Sequence, residues 1–291
     1  MEWRNKILAA SFAPQVRFHS EEVYYPLSAE DYIRACDLYL GDVSLGPADL
    51  AQGEIPPGEQ DCYLKIRDTS VVYGWPGQQA PPVYANVLSQ PEPKEGKMTE
   101  IQYFFCYAYN GSLFPSAPSL GAHEGDWEHV TMMVDAGSFW AGESPGSCLK
   151  AVYYAAHGGE GGWVESPPLT RDERTIVYSS RYNHACYPSA GRQSRIGFGW
   201  IDDFTDAKGL KWNTWENVVM VEENLPWFRF PGRWGRPPRR FLGENPPPLG
   251  PPYKAYFKTG QQPPWQAGET TGKNLGANSL DVKIEITPGV F

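Results

Sequence analysis

From residue 100 to 109 the chain reads Glu-Ile-Gln-Tyr-Phe-Phe-Cys-Tyr-Ala-Tyr, an almost unbroken run of apolar and aromatic side chains. A strand with one wet face would alternate, so this run predicts a central strand covered on both faces. The elements around it must be short. With 28 prolines and 30 glycines in 291 residues, the chain is punctuated too often for long helices. The expected fold is mostly β: an antiparallel β-sandwich with one or two short helices and long Pro/Gly-rich loops.

Length allows one large β domain or two ordinary ones. No internal repeat and no evident linker divides the chain, so residues 1–291 read as a single domain, with 241–291 as a loop-rich C-terminal extension. Residues 13–27 read as a short strand and a turn. Ser28 is placed to cap the best helix of the chain, running to about residue 40. Between 41 and 93, residues 62–66 and 70–73 read as short extended pieces that belong to connections more than to the core. Further strands are expected near residues 126–134, 148–156, 175–180 and 217–222. Residues 280–287 alternate apolar and polar side chains and suit a returning edge strand.

The formal charge of −9 argues against a nucleic-acid partner and against adsorption to anionic membranes. No run approaches the roughly 18 to 20 apolar residues needed to span a bilayer. Near the N-terminus, residues 7–13 form an apolar stretch too short for a signal peptide and closed by Pro14. Cys36, Cys62, Cys106, Cys148 and Cys186 are odd in number, widely spread and free of any CxxC pair, which fits reduced thiols and a cytoplasmic location. Oligomeric state has no signature.

Four of the five histidines fall between positions 123 and 184. The first opens the run His123-Glu124-Gly125-Asp126-Trp127-Glu128-His129, which leads directly into Val130-Thr131-Met132-Met133-Val134. Strand alternation places Asp126 and Glu128 on one face with Val130, Met132 and Val134. Ionised carboxylates on an apolar face require compensation by arginine, by a cation or by protonation. One reading is a salt-bridged strand end with Arg181 or Arg195. The other is a divalent cation, Mg, Mn, Ca or Zn, or Fe(II), held by Asp126, Glu128 and His123. His157 and His184 follow two other predicted strands; taken singly they are ordinary turn histidines. If neighbouring strands are antiparallel, however, their ends meet on one rim, where either could act as ligand, orienter or proton carrier. His129 should point to the opposite face and serve structure. His19, in a Phe-His-Ser-Glu setting, has no spacing argument.

Arg229, Arg233, Arg236, Arg239 and Arg240 interleave with Trp227, Phe228, Phe230 and Trp234. They read either as a solvated loop packed by aromatic stacking or as a lid presenting an arginine to a ligand anion. No phosphate-cradling glycine loop, dinucleotide fingerprint or GxSxG elbow is present, so no nucleotide cofactor is expected. Cys186 follows His184 on the same segment and lacks the separate partner a thiol nucleophile needs.

Five ordered segments, Phe18-His19 with Tyr25-Pro26, His123 with residues 125–129, His157-Gly158-Gly159 with Trp163-Val164, Val177 to Arg181 with His184, and Gly232-Arg233-Trp234-Gly235, resemble the vacuolar protein sorting-associated protein 62 family of fungi and plants. The resemblance spans residues 13–240. The family's name records a trafficking phenotype, not a biochemical activity, and implies little about reaction. Trp163, Arg181, Arg233 and Trp234, which lie in these segments, are expected to contact substrate. Residues 125–129 are also similar to the signature GHRHDWE of necrosis- and ethylene-inducing peptide-like proteins, which supplies metal ligands in a β-sandwich that binds plant sphingolipid head groups. That similarity implies Asp126 and Glu128 as ligands with His123 nearby, while Gly125 stands where that family has a second histidine.

Three functions are compatible with these residues. The first is a cytosolic, non-redox small-molecule enzyme of secondary metabolism, a lyase, cyclase or hydrolase acting on a terpenoid- or polyketide-like substrate. In it, His157 or His184 moves a proton beside a cation at Asp126 and Glu128. The second is a metal-assisted glycan or lipid-head-group binding module on the same sandwich. The third is a trafficking-related scaffold.

Overall fold

The computed structural model describes residues 2–49, 61–77, 79–88, 98–112, 121–157, 161–194, 202–238 and 246–261. The protein is mostly β, as the composition requires. A six-stranded sheet runs in the order β15 (Val218–Met220), β5 (Val83–Leu88), β6 (Met98–Asn110), β7 (His123–Asp135), β8 (Leu149–Tyr154) and β9 (Gly162–Val164). Against one face packs a four-stranded sheet in the order β11 (Cys186–Tyr187), β10 (Ile176–Ser179), β1 (Gln15–Arg17) and β14 (Lys211–Asn213). A three-stranded sheet, β3 (Val43–Pro47), β2 (Cys36–Leu40) and β4 (Cys62–Ile66), and a hairpin of β12 (Gly191–Gln193) and β13 (Asp203–Thr205) complete the strands among the described residues.

Two cores explain the long apolar run. Tyr103, Phe105 and Tyr107 of β6 and Val130, Met132 and Val134 of β7 meet Val16, Val177, Cys186 and Trp212 of the four-stranded sheet. On the reverse face, Phe104, Cys106, Ala108 and Trp127 meet Tyr32, Leu64, Trp227, Phe230 and Trp234. The central sheet is therefore a middle layer with apolar cover on both sides, and β6 has no wet face to alternate toward.

Several local expectations change. The longest helix among the described residues is α1 (Glu2–Phe12), whose Leu8, Ala9 and Phe12 are buried. The Ser28 hydroxyl does accept from the Asp31 N–H at 3.0 Å, but α2 (Ala29–Arg34) stops well short of residue 40. Beyond it, the alternating Cys-Asp-Leu-Tyr-Leu of β2 pairs residue for residue with β4 in antiparallel register. β4 is core rather than connection, and Thr69–Tyr73 is a 3-10 turn, not an extended piece. Two strand pairings, β1 with β10 and β15 with β5, are parallel and depart from the antiparallel arrangement of the rest. The other α-helices among the described residues, α3 (Ala136–Trp140), α4 (Pro145–Cys148) and α5 (Tyr256–Thr259), are single turns. Among the described residues no helix is long and apolar enough to cross a membrane. The edge strand expected at 280–287, with Arg195, Arg239 and Arg240, lies outside the described residues.

Candidate functional site

The two long strands pair from Met98 and Asp135 to Asn110 and His123, placing Asp126 opposite Tyr107 and Glu128 opposite Phe105. Both carboxylates thus share the face of Val130 and Met132, as alternation predicts. On its other side, β7 is paired by β8 only from Val130 to Val134. The end holding Asp126 and Glu128 has no described strand there. Instead Pro246 to Leu249, Arg233, Lys254 and His123 close around it and leave a cavity of about 360 Å³.

Asp126 is buried and accepts from His184, Nδ1 to Oδ2 2.9 Å. The His184 ring is wholly buried, lies flat on Tyr107 with centroids 3.8 Å apart, and directs Nε2 at the Tyr24 carbonyl, 3.1 Å away. Glu22 Oε1 stands 3.9 Å from the same nitrogen and also receives the Val23 and Tyr24 N–H groups. Tyr182 and His184 both have left-handed backbones, φ 70° and 60°. Such strain persists where neighbours over-determine the conformation, here the Tyr182 N–H on Glu22 Oε2 at 2.6 Å and the two bonds of the His184 ring.

Glu128 differs from its neighbour. Among the described residues it has no hydrogen-bond or ion-pair partner, and its side chain is partly open to the cavity. Burial, then the Asp126 carboxylate, holds Glu128 well above the ordinary carboxylate range; Asp203 adds to this and the Lys254 ammonium opposes it. Burial in turn pulls Lys254 down, with Glu128 and Asp126 pushing it back up.

His157 sits in a neighbouring cluster. Its Nε2 is 2.5 Å from Asp203 Oδ2, an oxygen that also accepts from the Tyr187 hydroxyl at 2.6 Å, while Asn183 donates to Oδ1 at 2.6 Å. Burial alone would raise Asp203, but these bonds and the His157 charge bring it below its usual value. The expected convergence thus divides: His184 meets Asp126, and His157 meets Asp203.

Other expected residues fall elsewhere. Among the described residues no three His, Cys, Asp or Glu side chains converge as ligands to one ion. His123 Nδ1 turns to the Gly125 carbonyl at 2.8 Å, and Asp126 Oδ2 is engaged by His184, so the Asp126, Glu128 and His123 set is not assembled as a metal centre. Arg181 pairs with Glu21 and stacks on Tyr182, so it is not the arginine partner of the two carboxylates. Arg233 does line the cavity, donating to the Pro247 carbonyl at 2.8 Å. Trp163 packs with Met133 and Tyr153, and Trp234 is a fully buried core residue stacked on Tyr32; neither lines the cavity. His129 lies on the reverse face as expected, bonded to the Tyr256 hydroxyl at 3.1 Å and pushed down to about 3 by burial. His19 belongs to a turn with Asp206, 3.6 Å away. Burial pushes the Cys186 thiol up, which makes it a poor nucleophile.

Glu22, Asp203 and Lys254 carry no signal in the sequence. No spacing links them to residues 123–129; each arrives from a distant loop or short strand. Gly125, by contrast, accounts for the missing second histidine of the GHRHDWE signature. Its φ is +61°, and a Cβ there would lie 1.6 Å from the Trp234 carbonyl oxygen, so a histidine cannot occupy this position.

Residues 93–235 match the family model described as vacuolar protein sorting-associated protein 62. The match takes in residues 123–129, His157, His184 and residues 232–235, and the resemblance carried by those motifs holds; Phe18-His19 and Tyr25-Pro26 lie ahead of it. No curated protein matches the chain. Solved structures similar to it include one described as NLPPya in complex with glucosamine, at 15% identity over 76% of this chain and 74% of that chain, TM-score 0.36. Another, described as a toxin fold for microbial attack and plant defense, has 16% identity over 76% and 75%, TM-score 0.37. The non-toxic HaNLP3 protein has 12% identity over 74% of each chain, TM-score 0.34. At these values the likeness is too distant to fix a ligand.

Proposed function

We propose that the cavity at the end of β7 is a small-molecule site for non-redox acid chemistry, in which Glu128 is the proton donor. Glu128 carries this reading: burial and the adjacent Asp126 favour its protonated form, and it opens on the cavity. Two carboxyl groups in unlike surroundings, one bonded to an imidazole and one not, are the arrangement that separates acid from base roles. Protonated Glu128 would transfer its proton to a ligand oxygen as the bond to that oxygen breaks, and Asp126 would balance the developing cationic charge. Hydrolysis, elimination and cyclisation all fit such a step. Arg233 and Lys254 supply donors for ligand oxygens, and Pro246 to Leu249 an apolar wall.

The test is to incubate the full chain with a panel of glycosides, lactones and terpenoid or polyketide alcohols, follow conversion by mass spectrometry, and run Glu128→Gln alongside. Conversion by the wild type and loss of it in the variant is the expected result. Retention of a panel compound by both proteins without chemical change would overturn the acid reading in favour of a binding module.

The same repulsion between Asp126 and Glu128 favours a second use of the pair, a divalent cation that neutralises both and takes its other ligands from water or substrate. Calorimetric titration of the full chain with Mg, Mn, Ca and Zn distinguishes the two readings. Saturable binding lost in both Asp126→Asn and Glu128→Gln favours the cation, and no binding heat favours the proton. All five cysteines are buried, and their odd number and wide spacing support a reducing, cytoplasmic setting.

A further inference from the structure

We infer that the outer edge of β15 is a docking groove for this chain's own segment 280–287, Leu-Asp-Val-Lys-Ile-Glu-Ile-Thr, which adds to the central sheet as a seventh strand. β15 ends the six-stranded sheet. Its parallel pairing uses alternate residues: the Val83 N–H bonds to Asn217 O at 2.9 Å and the Val221 N–H to Ala85 O at 2.8 Å, with Val219 opposite Tyr84 between them. The peptide groups of Val218 and Met220 therefore point away from β5, and no described strand receives them.

Beyond that edge lies a groove, not open surface. A depression of about 730 Å³ runs along Val218 to Met220, walled on one side by Glu2, Trp3 and Lys6 of α1 and on the other by Glu222, Asn224 and Leu225. Trp3 is 60% exposed and Ile7 of the same helix 42% exposed. At the opposite edge of the sheet, Gly162, Trp163 and Val164 of β9 are all buried, whereas Val218, Val219 and Met220 of β15 are only half-buried.

The occupant is set by the position of Gln261 and by the sequence C-terminal to it. Gln261 donates its backbone N–H to the Glu100 carboxylate, and Glu100 pairs with Leu88 of β5, the strand next to β15. Three strand spacings across the sheet, roughly 14 Å, and an offset along it from Leu88 back to Ala85 and Val83 of roughly 10 to 17 Å separate that point from the groove. The intervening residues 262–279 span a root-mean-square distance of roughly 23 Å even as a flexible coil. Segment 280–287 has strand periodicity: Leu280, Val282, Ile284 and Ile286 on one face, and Asp281, Lys283, Glu285 and Thr287 on the other. Laid along β15, the apolar face covers Trp3 and Met220, while the polar face lies toward Glu222 and Asn224.

Amide hydrogen exchange on the full chain tests this. The Val218 and Met220 amides and those of 280–287 should exchange slowly together, and Ile284→Pro should speed both sets by roughly tenfold or more while leaving β6 protected. Ile284→Asp, which retains the amide but removes the apolar contact, should do the same. Unprotected exchange at Val218 and Met220 in the wild type would sink the proposal. So would protection there that is insensitive to both variants, or protection that grows with protein concentration, which would assign the groove to a second copy.

Discussion

The His184 ring spans two acceptors, Asp126 Oδ2 at 2.9 Å from Nδ1 and the Tyr24 carbonyl at 3.1 Å from Nε2. The one ring therefore ties the β7 strand end that carries Asp126 to the turn that carries Tyr24.

Removing the Asp126 side of that tie should be costly. Asp126→Ala leaves the buried ring facing a void, and a loss of about 3 to 5 kcal/mol is expected. Asp126→Asn keeps the shape and an acceptor oxygen, and should cost less, about 1 to 2 kcal/mol. Urea unfolding of both variants measures the difference; equal, near-zero losses would show that the pair does not hold the loop.

Glu128 should titrate above the usual carboxylate range and respond to its neighbours with opposite signs. Asp126→Asn removes a negative charge and should lower the Glu128 value; Lys254→Met removes the opposing positive charge and should raise it. Carbon-13 NMR of the side-chain carboxyl follows both. Because Glu128 is raised in the folded protein, its linkage to stability runs toward acid. Its contribution is present below the unfolded value and is lost as pH rises toward the folded one.

His129 acts in the other direction. Its folded value is about 3, so the unfolded chain takes up a proton below about 6.5 that the native protein refuses. Stability from this residue should fall by about 1.4 kcal/mol for each pH unit between those limits. His129→Gln, which keeps a hydrogen-bonding partner for Tyr256, should flatten the acid limb of a stability-pH curve by one proton; an unchanged slope would assign the acid sensitivity elsewhere.

Gly125→Ala should be among the most damaging single-methyl changes in the chain. The left-handed φ and the close Trp234 carbonyl both oppose it, for a loss of about 3 kcal/mol or more. Gly121, also left-handed but with nothing within 4 Å of its Cβ position, is the control: Gly121→Ala should cost about 1 kcal/mol. Melting temperatures of the two variants compare them directly.

The parts of the site legible in the sequence are those fixed by strand geometry. Pleating alone places Asp126 and Glu128 on the Val130 and Met132 face, and puts His129 on the other. The two-sided run of β6 likewise predicts a covered strand. Pleating cannot show which distant loop supplies a bonding group or a nearby charge. Asp203 for His157, Lys254 for Glu128 and the Tyr24 carbonyl for His184 arise from tertiary placement, across 46, 126 and 160 positions respectively. The tryptophans mislead for a related reason. Trp163 and Trp234 lie in specific motifs, but a buried aromatic that fixes a fold and one that lines a cavity look alike in sequence. The helix at Glu2–Phe12 is hidden because its outward face carries Trp3 and Ile7, which blur the amphipathic pattern.

The contact between Gly125 and the Trp234 backbone fastens the arginine-bearing segment to the sheet, so Arg233 rides with β7 as one rigid piece. The proline wall is fastened to the same piece, through the Arg233 bond to the Pro247 carbonyl and the Trp234 N–H bond to the Pro248 carbonyl, so Pro246 to Leu249 is tied to Arg233 rather than hinged against it. The size of guest the cavity admits is thus set by walls joined to one another, and a change at Gly125 that loosens the Trp234 backbone would reshape the entrance as a whole.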